Sequence, residues 1–356
     1  MRIGIPREIK PMEGRVALNP AACGELVRAG HELTVEEGAG SQSGYPDDEY
    51  LAVGVRLAAD AAALYEAGEL IVKVKEPVDQ DLEHLRGDHS LFCYLHLAAQ
   101  PELTRRLLGI GLTAIGFETV ELENGALPLL APMSDIAGRL SVQIGSCLLH
   151  RHQGGKGVLM GGLPAVERGN VVIFGAGTAG GGAAILAAGL GATVTVFDLK
   201  RERLEAMRAL GNNVTALYPY AREIERQVRE ADLIIGAVLV TGDQAPRVVT
   251  AEMVRSMAAG SVIVDISVDQ GGCVETTRPM SYQDPPYKVD EIVHLTVTNM
   301  PSAVPRSATQ ALSASLLPYV RLLAGPDWRG NPDLVRGVNT EDGEVVHPAL
   351  KHVYGN

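Results

Sequence analysis

Aromatic side chains are scarce in this 356-residue chain, at 4% of the sequence, with one tryptophan and four phenylalanines. That composition argues against a ring-filled β-sandwich, and the 40 glycines point instead to many short, tightly turned α/β units. Cysteine is sparse as well. Cys23, Cys93, Cys147 and Cys273 are widely spaced with no Cys-x-x-Cys pair, so they read as reduced thiols rather than a disulfide framework. No uninterrupted apolar run is long enough to span a bilayer, and MRIGIPREIK passes straight into a strand without the apolar core of a signal peptide. A cytoplasmic protein without a membrane partner is expected. Positive charge is in deficit, with 31 Lys and Arg against 43 Asp and Glu, a net charge of -12 and no local basic patch. A nucleic-acid or anionic-membrane surface is therefore not expected. His150 and His152 lie two apart, a spacing that puts them on different faces of a helix, so they read as surface residues and no metal site is expected.

What is present is a soluble composition, 46% hydrophobic, in a chain long enough for two domains of ordinary size. The first part alternates strands and helices. Its strand candidates are Arg2 to Pro6, Glu32 to Glu36, Leu70 to Val74, Leu91 to Leu95 and Thr113 to Glu118. Asn19-Pro20 supplies an N-cap followed by proline at the first helical position, and Gly30 is placed to end that helix. A second series begins near Asn170, with strands expected at Val171 to Gly175, Thr193 to Asp198, Asn213 to Leu217, Leu233 to Val238, Val262 to Ser267 and Val293 to Asn299. Between the two lies SDIAGRLSVQIGSCLLH, Ser134 to His150, a helical pattern capped by Ser134 or Asp135. Ala308 to Ala324 is another helix, and the tail from Gly325 has little strand character. The expected fold class is α/β: two Rossmann-like doubly wound domains with a cleft between them, linked by helices. Residues 1–130 with 308–356 would form one domain and 131–307 the other, with the ligand in the cleft.

The chemistry-bearing motif of the second series is Gly175-Ala-Gly177-Thr-Ala-Gly180, a G-x-G-x-x-G that leaves a strand and opens a helix. The first glycine permits the tight turn, the second lets a pyrophosphate approach the backbone, and the third lets helix and strand pack closely. The helix N-terminus attracts the phosphates. Asp198 ends the next strand, 18 residues after Gly180, where an acid binds the adenosine ribose hydroxyls. Its charge opposes the extra phosphate of NADP, although Lys200, Arg201 and Arg203 partly offset the repulsion, so NAD is the expected cofactor.

In the first series, LIVKVKEP places Lys73 and Lys75 on one face of a strand. Two readings stand for them: solvated lysines guarding an edge strand, or an interior strand that ends at Pro77 and leaves Lys75 at its carboxyl end, where open α/β sheets bind ligands. Lys73 carries no assigned role in either. LFCYLHL puts Phe92, Tyr94 and His96 on one face, and His96 is either a hydrogen-bonded core histidine or a companion of Lys75 at the same sheet edge. The loop after the first strand carries Arg15, suited to a two-pronged grip on a carboxylate or to a place on the surface. VIVDISVDQGG runs from a buried strand into a glycine turn with Asp269 at its tip, a turn or cap aspartate on the bland reading.

These stretches, with RIGIPREIKPMEGRVALNP, LPLLAPMSDIAGRL, GVLMGGLPAV, ADLIIGAVLV and NMPSAVPRSATQAL, resemble the alanine dehydrogenases and the related soluble subunit of proton-translocating transhydrogenase, over nearly the whole chain to Ala324. The resemblance implies NAD-dependent, reversible oxidative deamination of L-alanine to pyruvate and ammonium. It implies that Arg15 and Lys75 hold the substrate and that His96 and Asp269 are the catalytic pair. Ser134, Gly175, Gly177, Thr178, Ala179, Gly180, Asp198, Arg203, Val238, Leu239, Val240, Ile266, Ser267, Val268, Asn299 and Met300 would line the cofactor. A homohexamer is implied too. A dehydrogenase of another small amino or oxo acid, or a non-catalytic NAD-binding module, are the alternatives. The chain departs from the family pattern at Thr241 to Gln244, at Met280 to Tyr282 and at Pro301 to Ala303.

Overall fold

The computed structural model describes residues 1–238 and 245–354, apart from the side chain of Gln270. The chain divides into two compact units, Met1–Met133 with Ser302–Asn356, and Ser134–Pro301.

In the first unit β1 (Arg2–Ile5), β2 (Glu32–Glu36), β3 (Arg56–Ala58), β4 (Leu70–Val72), β5 (Ser90–Cys93) and β6 (Thr113–Gly116) form a parallel array in the order β3-β2-β1-β4-β5-β6. In the second, β7 (Asn170–Phe174), β8 (Thr193–Phe197), β9 (Val214–Leu217), β10 (Leu233–Gly236), β11 (Val262–Asp265) and β13 (Ile292–Leu295) are parallel in the order β9-β8-β7-β10-β11-β13, with β12 (Tyr287–Val289) antiparallel at the β13 edge. Both sheets therefore turn back beside their first strand, the doubly wound arrangement that puts a ligand crevice at the carboxyl ends of the two central strands. β4, β10 and β11 are buried along their length, which is why they read as unbroken apolar runs.

Local chemistry sets the helix ends. Asn19 accepts from the Ala22 amide at 2.9 Å and Pro20 opens the Pro20–Arg28 helix, as its sequence indicates. The helix expected to start at Ser134 or Asp135 instead begins at Ala131, because the Leu127 carbonyl accepts from the amides of Leu130 and Ala131 and starts the turn earlier. Asp135 then lies inside the helix and accepts from Arg139 Nε at 3.0 Å, one turn on.

The tail after Gly325 is not strandless. β14 (Val338–Glu341) pairs antiparallel with β6, and β15 (Glu344–Val345) pairs with β14. β14 has only Val338 as an apolar residue, so alternation gives no signal; its place is held by the ladder and by the Asn339 amide, which donates to Thr119 Oγ1 at 2.6 Å and to the Gly337 carbonyl at 2.8 Å. β3 and β12 escaped the pattern for a similar reason, being three-residue strands with exposed positions.

Within the second unit the Ala131–Leu148 helix approaches the Thr178–Gly189 helix at Gly138, where an added Cβ would lie 1.9 Å from the Ala179 carbonyl oxygen. Relief requires backbone movement, so Gly138→Ala is expected to cost roughly 2–3 kcal/mol, read as a lower denaturation midpoint in urea. A parent-like midpoint would show that the two helices do not approach this closely.

Candidate functional site

Strand register aligns the loops at the carboxyl end of the first sheet. β1 and β4 pair Ile3 with Leu70 and Gly4 with Ile71. β4 and β5 pair Val72 with Phe92, and β5 and β6 pair Cys93 with Gly116. Backbone bonds carry the pairing past the strands, Lys73 N donating to Phe92 O at 3.2 Å and Tyr94 N to Val74 O at 3.0 Å. Continued in step, these registers put Glu8 level with Lys75, Lys75 with Leu95 and Leu95 with Glu118. His96 is one residue further on. Lys75 and His96 thus leave neighbouring strands side by side.

His96 has a left-handed backbone, φ 50 and ψ 34, uncommon for a residue with a side chain. The Glu118 carboxylate holds it there, accepting from His96 N at 2.6 Å and from Leu95 N at 3.1 Å. The ring stacks on Tyr94 at 5.9 Å between centroids, and Tyr94 meets Phe117 edge-on at 5.0 Å. Tyr94 in turn donates to the Leu129 carbonyl at 2.7 Å, and burial pushes its phenol pKa up, so it remains a donor.

Lys75 is mostly buried, its Nζ 3.7 Å from Glu76 Oε2, while Lys10 pairs with the other Glu76 oxygen. Burial pushes the Glu76 carboxyl up, but Lys75 and Lys10 outweigh it and hold the group below the ordinary range. Arg15 is 3% exposed and sits against Glu13, with Nε 2.6 Å from Oε1 and Nη2 2.5 Å from Oε2; its Nη1 lies 3.2 Å from Met133 Sδ. The two-pronged geometry anticipated for a substrate carboxylate is formed here with a carboxylate of the protein, and the surface reading of Arg15 is excluded.

Lys73 corrects the sequence reading. The alternation rule aligned it with Lys75, and a residue without a role was expected. It is 1% exposed, with Nζ 2.9 Å from Asp81 Oδ2 and 3.5 Å from Glu8 Oε2. β4 lies inside the sheet, so an ammonium there must be paired, and it is paired twice.

In the second unit the glycine turn has the shape its motif requires. Gly175 has φ 96, and a Cβ on Gly180 would lie 1.8 Å from the Gly175 carbonyl oxygen. At Gly177 the nearest atom to such a Cβ is Arg203 Nη1, 3.8 Å away, which leaves the approach to the backbone open. Thr178 and Ala179 begin the Thr178–Gly189 helix. Asp198 Oδ2 accepts from Ala176 N at 2.7 Å, Oδ1 accepts from Lys200 N at 2.8 Å, and Arg203 Nη1 is 3.5 Å away. The cradle and its acid fit a dinucleotide. Val238 follows β10 and packs on the core; Leu239 and Val240, and the departures at Thr241 to Gln244, lie outside the described residues.

Asp265, fully buried at the end of β11, accepts from the amides of Ser267 (3.0 Å), Cys273 (3.0 Å) and Val274 (3.3 Å) and from the Thr277 hydroxyl (2.9 Å). It folds Ile266, Ser267, Val268 and Asp269 into a 3-10 turn, Ile266–Gln270, that presents Asp269 at an exposed position. Ser134 lies in the first turns of the Ala131–Leu148 helix, and Asn299 precedes the Met300–Ala303 turn. Tyr282, one of the departures, donates to the Met300 carbonyl at 3.0 Å, and burial pushes its phenol pKa up to about 12. Arg15, Lys75 and His96 thus belong to the first unit, and Asp269 with the proposed cofactor residues to the second. Sequence reasoning missed Glu8, Glu118 and Asp265. Only Asp265 left a signal, an acid at the end of an apolar strand.

Residues 4–137 match the family described as alanine dehydrogenase/PNT, N-terminal domain, and residues 141–348 match alanine dehydrogenase/PNT, C-terminal domain. An alanine dehydrogenase of Geobacillus stearothermophilus is 47% identical, over 98% of this chain and 95% of its own length. A solved L-alanine dehydrogenase matches with a TM-score of 0.96 at 50% identity, over 99% of each chain. The transhydrogenase from Sinorhizobium meliloti matches with a TM-score of 0.85 at 27% identity, over 98% of this chain and 100% of that one.

Asp265→Ala strips partners from three amides and a hydroxyl, and is expected to cost roughly 2–4 kcal/mol in urea denaturation. A loss below about 1 kcal/mol would mean that water replaces the carboxylate without penalty.

Proposed function

The chain belongs to the alanine dehydrogenase/PNT family, and on that premise we propose that it catalyses the reversible oxidative deamination of L-alanine to pyruvate and ammonium. It is an oxidoreductase acting on a CH–NH2 group with a nicotinamide cofactor. The observation that carries the reading is full-length similarity to alanine dehydrogenases in a chain whose Lys75 and His96 leave adjacent strands together. Among the described residues no helix is long and apolar enough to cross a membrane.

When bound, a nicotinamide dinucleotide supplies the two-electron acceptor. Arg15 is assigned the substrate carboxylate and Lys75 the carbonyl or carbinolamine oxygen, each as a fixed positive charge. His96 is assigned the base: it accepts the proton that alanine's ammonium must shed before oxidation and passes it to solvent. It then takes the proton of the water that adds to the iminium carbon and returns it to the amine nitrogen, so that ammonia can leave as the carbonyl forms, carrying off the hydroxyl proton as ammonium. Asp269 is assigned the ammonium or the orientation of that water. Asp198 would take the adenosine ribose hydroxyls, and its charge disfavours a 2′-phosphate, so NAD is the proposed cofactor. Residues 1–130 with 308–356 are read as the substrate domain and 131–307 as the cofactor domain. A cytoplasmic homohexamer completes the proposal.

The test is NADH formation by the purified protein with a panel of L-amino acids, with NADP in parallel. Alanine is expected to be the preferred substrate and NAD to exceed NADP at least about tenfold in kcat/KM. No turnover of any amino acid alongside tight NADH binding would point to a non-catalytic module. Lys75→Ala and His96→Gln are each expected to lower kcat/KM for alanine by about 10²-fold or more, with NADH affinity nearly unchanged. Near-normal turnover by Lys75→Ala would remove it from the mechanism, and loss of NADH affinity in His96→Gln would reassign that residue to the cofactor.

A further inference from the structure

We propose that Glu8 is a positioning residue for Lys75, holding the backbone from which the lysine projects. The inference rests on the reading of Lys75 as a substrate ligand. Where β4 parts from β1 the amides of Val74 and Lys75 turn toward the loop after β1, and the register of the two strands brings Glu8 level with them. One oxygen of Glu8 takes both donors, Val74 N at 2.6 Å and Lys75 N at 3.2 Å. Its second oxygen faces Lys73 Nζ at 3.5 Å and takes no hydrogen bond among the described residues. The carboxylate side chain is 2% exposed and the Lys73 side chain 1%.

Lys73 is fixed from behind. Its Nζ binds Asp81 Oδ2 at 2.9 Å, the same oxygen accepts from Val78 N at 2.9 Å, and Asp81 Oδ1 accepts from the Tyr65 hydroxyl at 2.8 Å. Asp81 thus bonds to Lys73 on one side of Lys75 in sequence and to Val78 on the other, and Glu8 takes the amides between. The segment Lys73 to Val78 is pinned at both ends and in its middle. This accounts for two lysines two residues apart with opposite fates: Lys73 is consumed as the anchor of the carboxylate that seats Lys75. A catalytic cation displaced by about 1 Å can cost about 10²-fold in rate, so the seat bears directly on turnover.

The experiment compares Glu8→Ala, Glu8→Gln, Tyr65→Phe and Lys75→Ala in the full-length protein, measuring kcat/KM for pyruvate, NADH affinity by fluorescence, and melting temperature. Glu8→Ala is expected to lose about 10²-fold in kcat/KM while NADH affinity stays within about twofold. Glu8→Gln keeps an oxygen that can accept from both amides, and is expected about tenfold below the parent, a partial rescue. Tyr65→Phe loosens the far side of the same network; it is expected to lower the melting temperature and keep kcat/KM within about threefold. A folded Glu8→Ala protein within about threefold of the parent overturns the proposal, as does a Tyr65→Phe loss equal to that of Glu8→Gln, which would mean general loosening. If Glu8→Ala does not fold, Glu8→Gln decides: parent-like kinetics overturn the proposal, and a selective loss of kcat/KM supports it. Normal turnover by Lys75→Ala would overturn the reading of Lys75 and this inference with it, whereas an impaired Lys75→Ala beside a parent-like Glu8→Ala overturns this inference alone.

Discussion

Parallel strands that part at their carboxyl ends strand their last backbone donors, and a buried amide without a partner is costly. This chain meets the constraint with carboxylates. Glu8 serves the end of β4, Glu118 the end of β5, and Asp265 the end of β11. In each case the capped segment carries a residue assigned to the chemistry: Lys75, His96 or Asp269. The placing of these three assigned residues follows from satisfying the backbone.

The broad architecture was legible because it rests on local and repetitive signals. Apolar runs marked the central strands, Asn19-Pro20 marked a helix start, and Gly175, Gly177 and Gly180 announced a phosphate turn whose close approaches are present in the structure. The doubly wound order is not a local property, but parallel strands with helical connections leave few alternatives. Residues whose meaning depends on a distant partner were illegible. Glu8 and Glu118 gain theirs from registers with strands 67 and 23 residues away. The alternation rule set Lys73 on one face with Lys75, yet the rule names a face without saying what covers it. β14 lacks alternation altogether and owes its place to the free edge of β6.

The electrostatic arrangement of the first unit follows the same economy of pairing. Lys73 is paired with Glu8 and Asp81, Lys75 with Glu76, Lys10 with Glu76, and Arg15 with Glu13. Positive groups concentrated at one sheet edge would repel each other in a buried setting; interleaved acids let them coexist there. A net acidic chain can in this way hold several buried positive groups close together, each beside an acid.

β14 has one further consequence, for the order in which the polypeptide acquires structure. Residues 134–301 are continuous in sequence, whereas the first sheet is completed by a strand that begins at Val338. On the ribosome, the second unit has all its strands before that edge of the first has been translated, and β6 must wait with one side open. The interval during which an unpaired β6 can meet another nascent copy is set by the time taken to synthesise more than two hundred residues, a kinetic exposure written into the chain order and invisible in the finished fold.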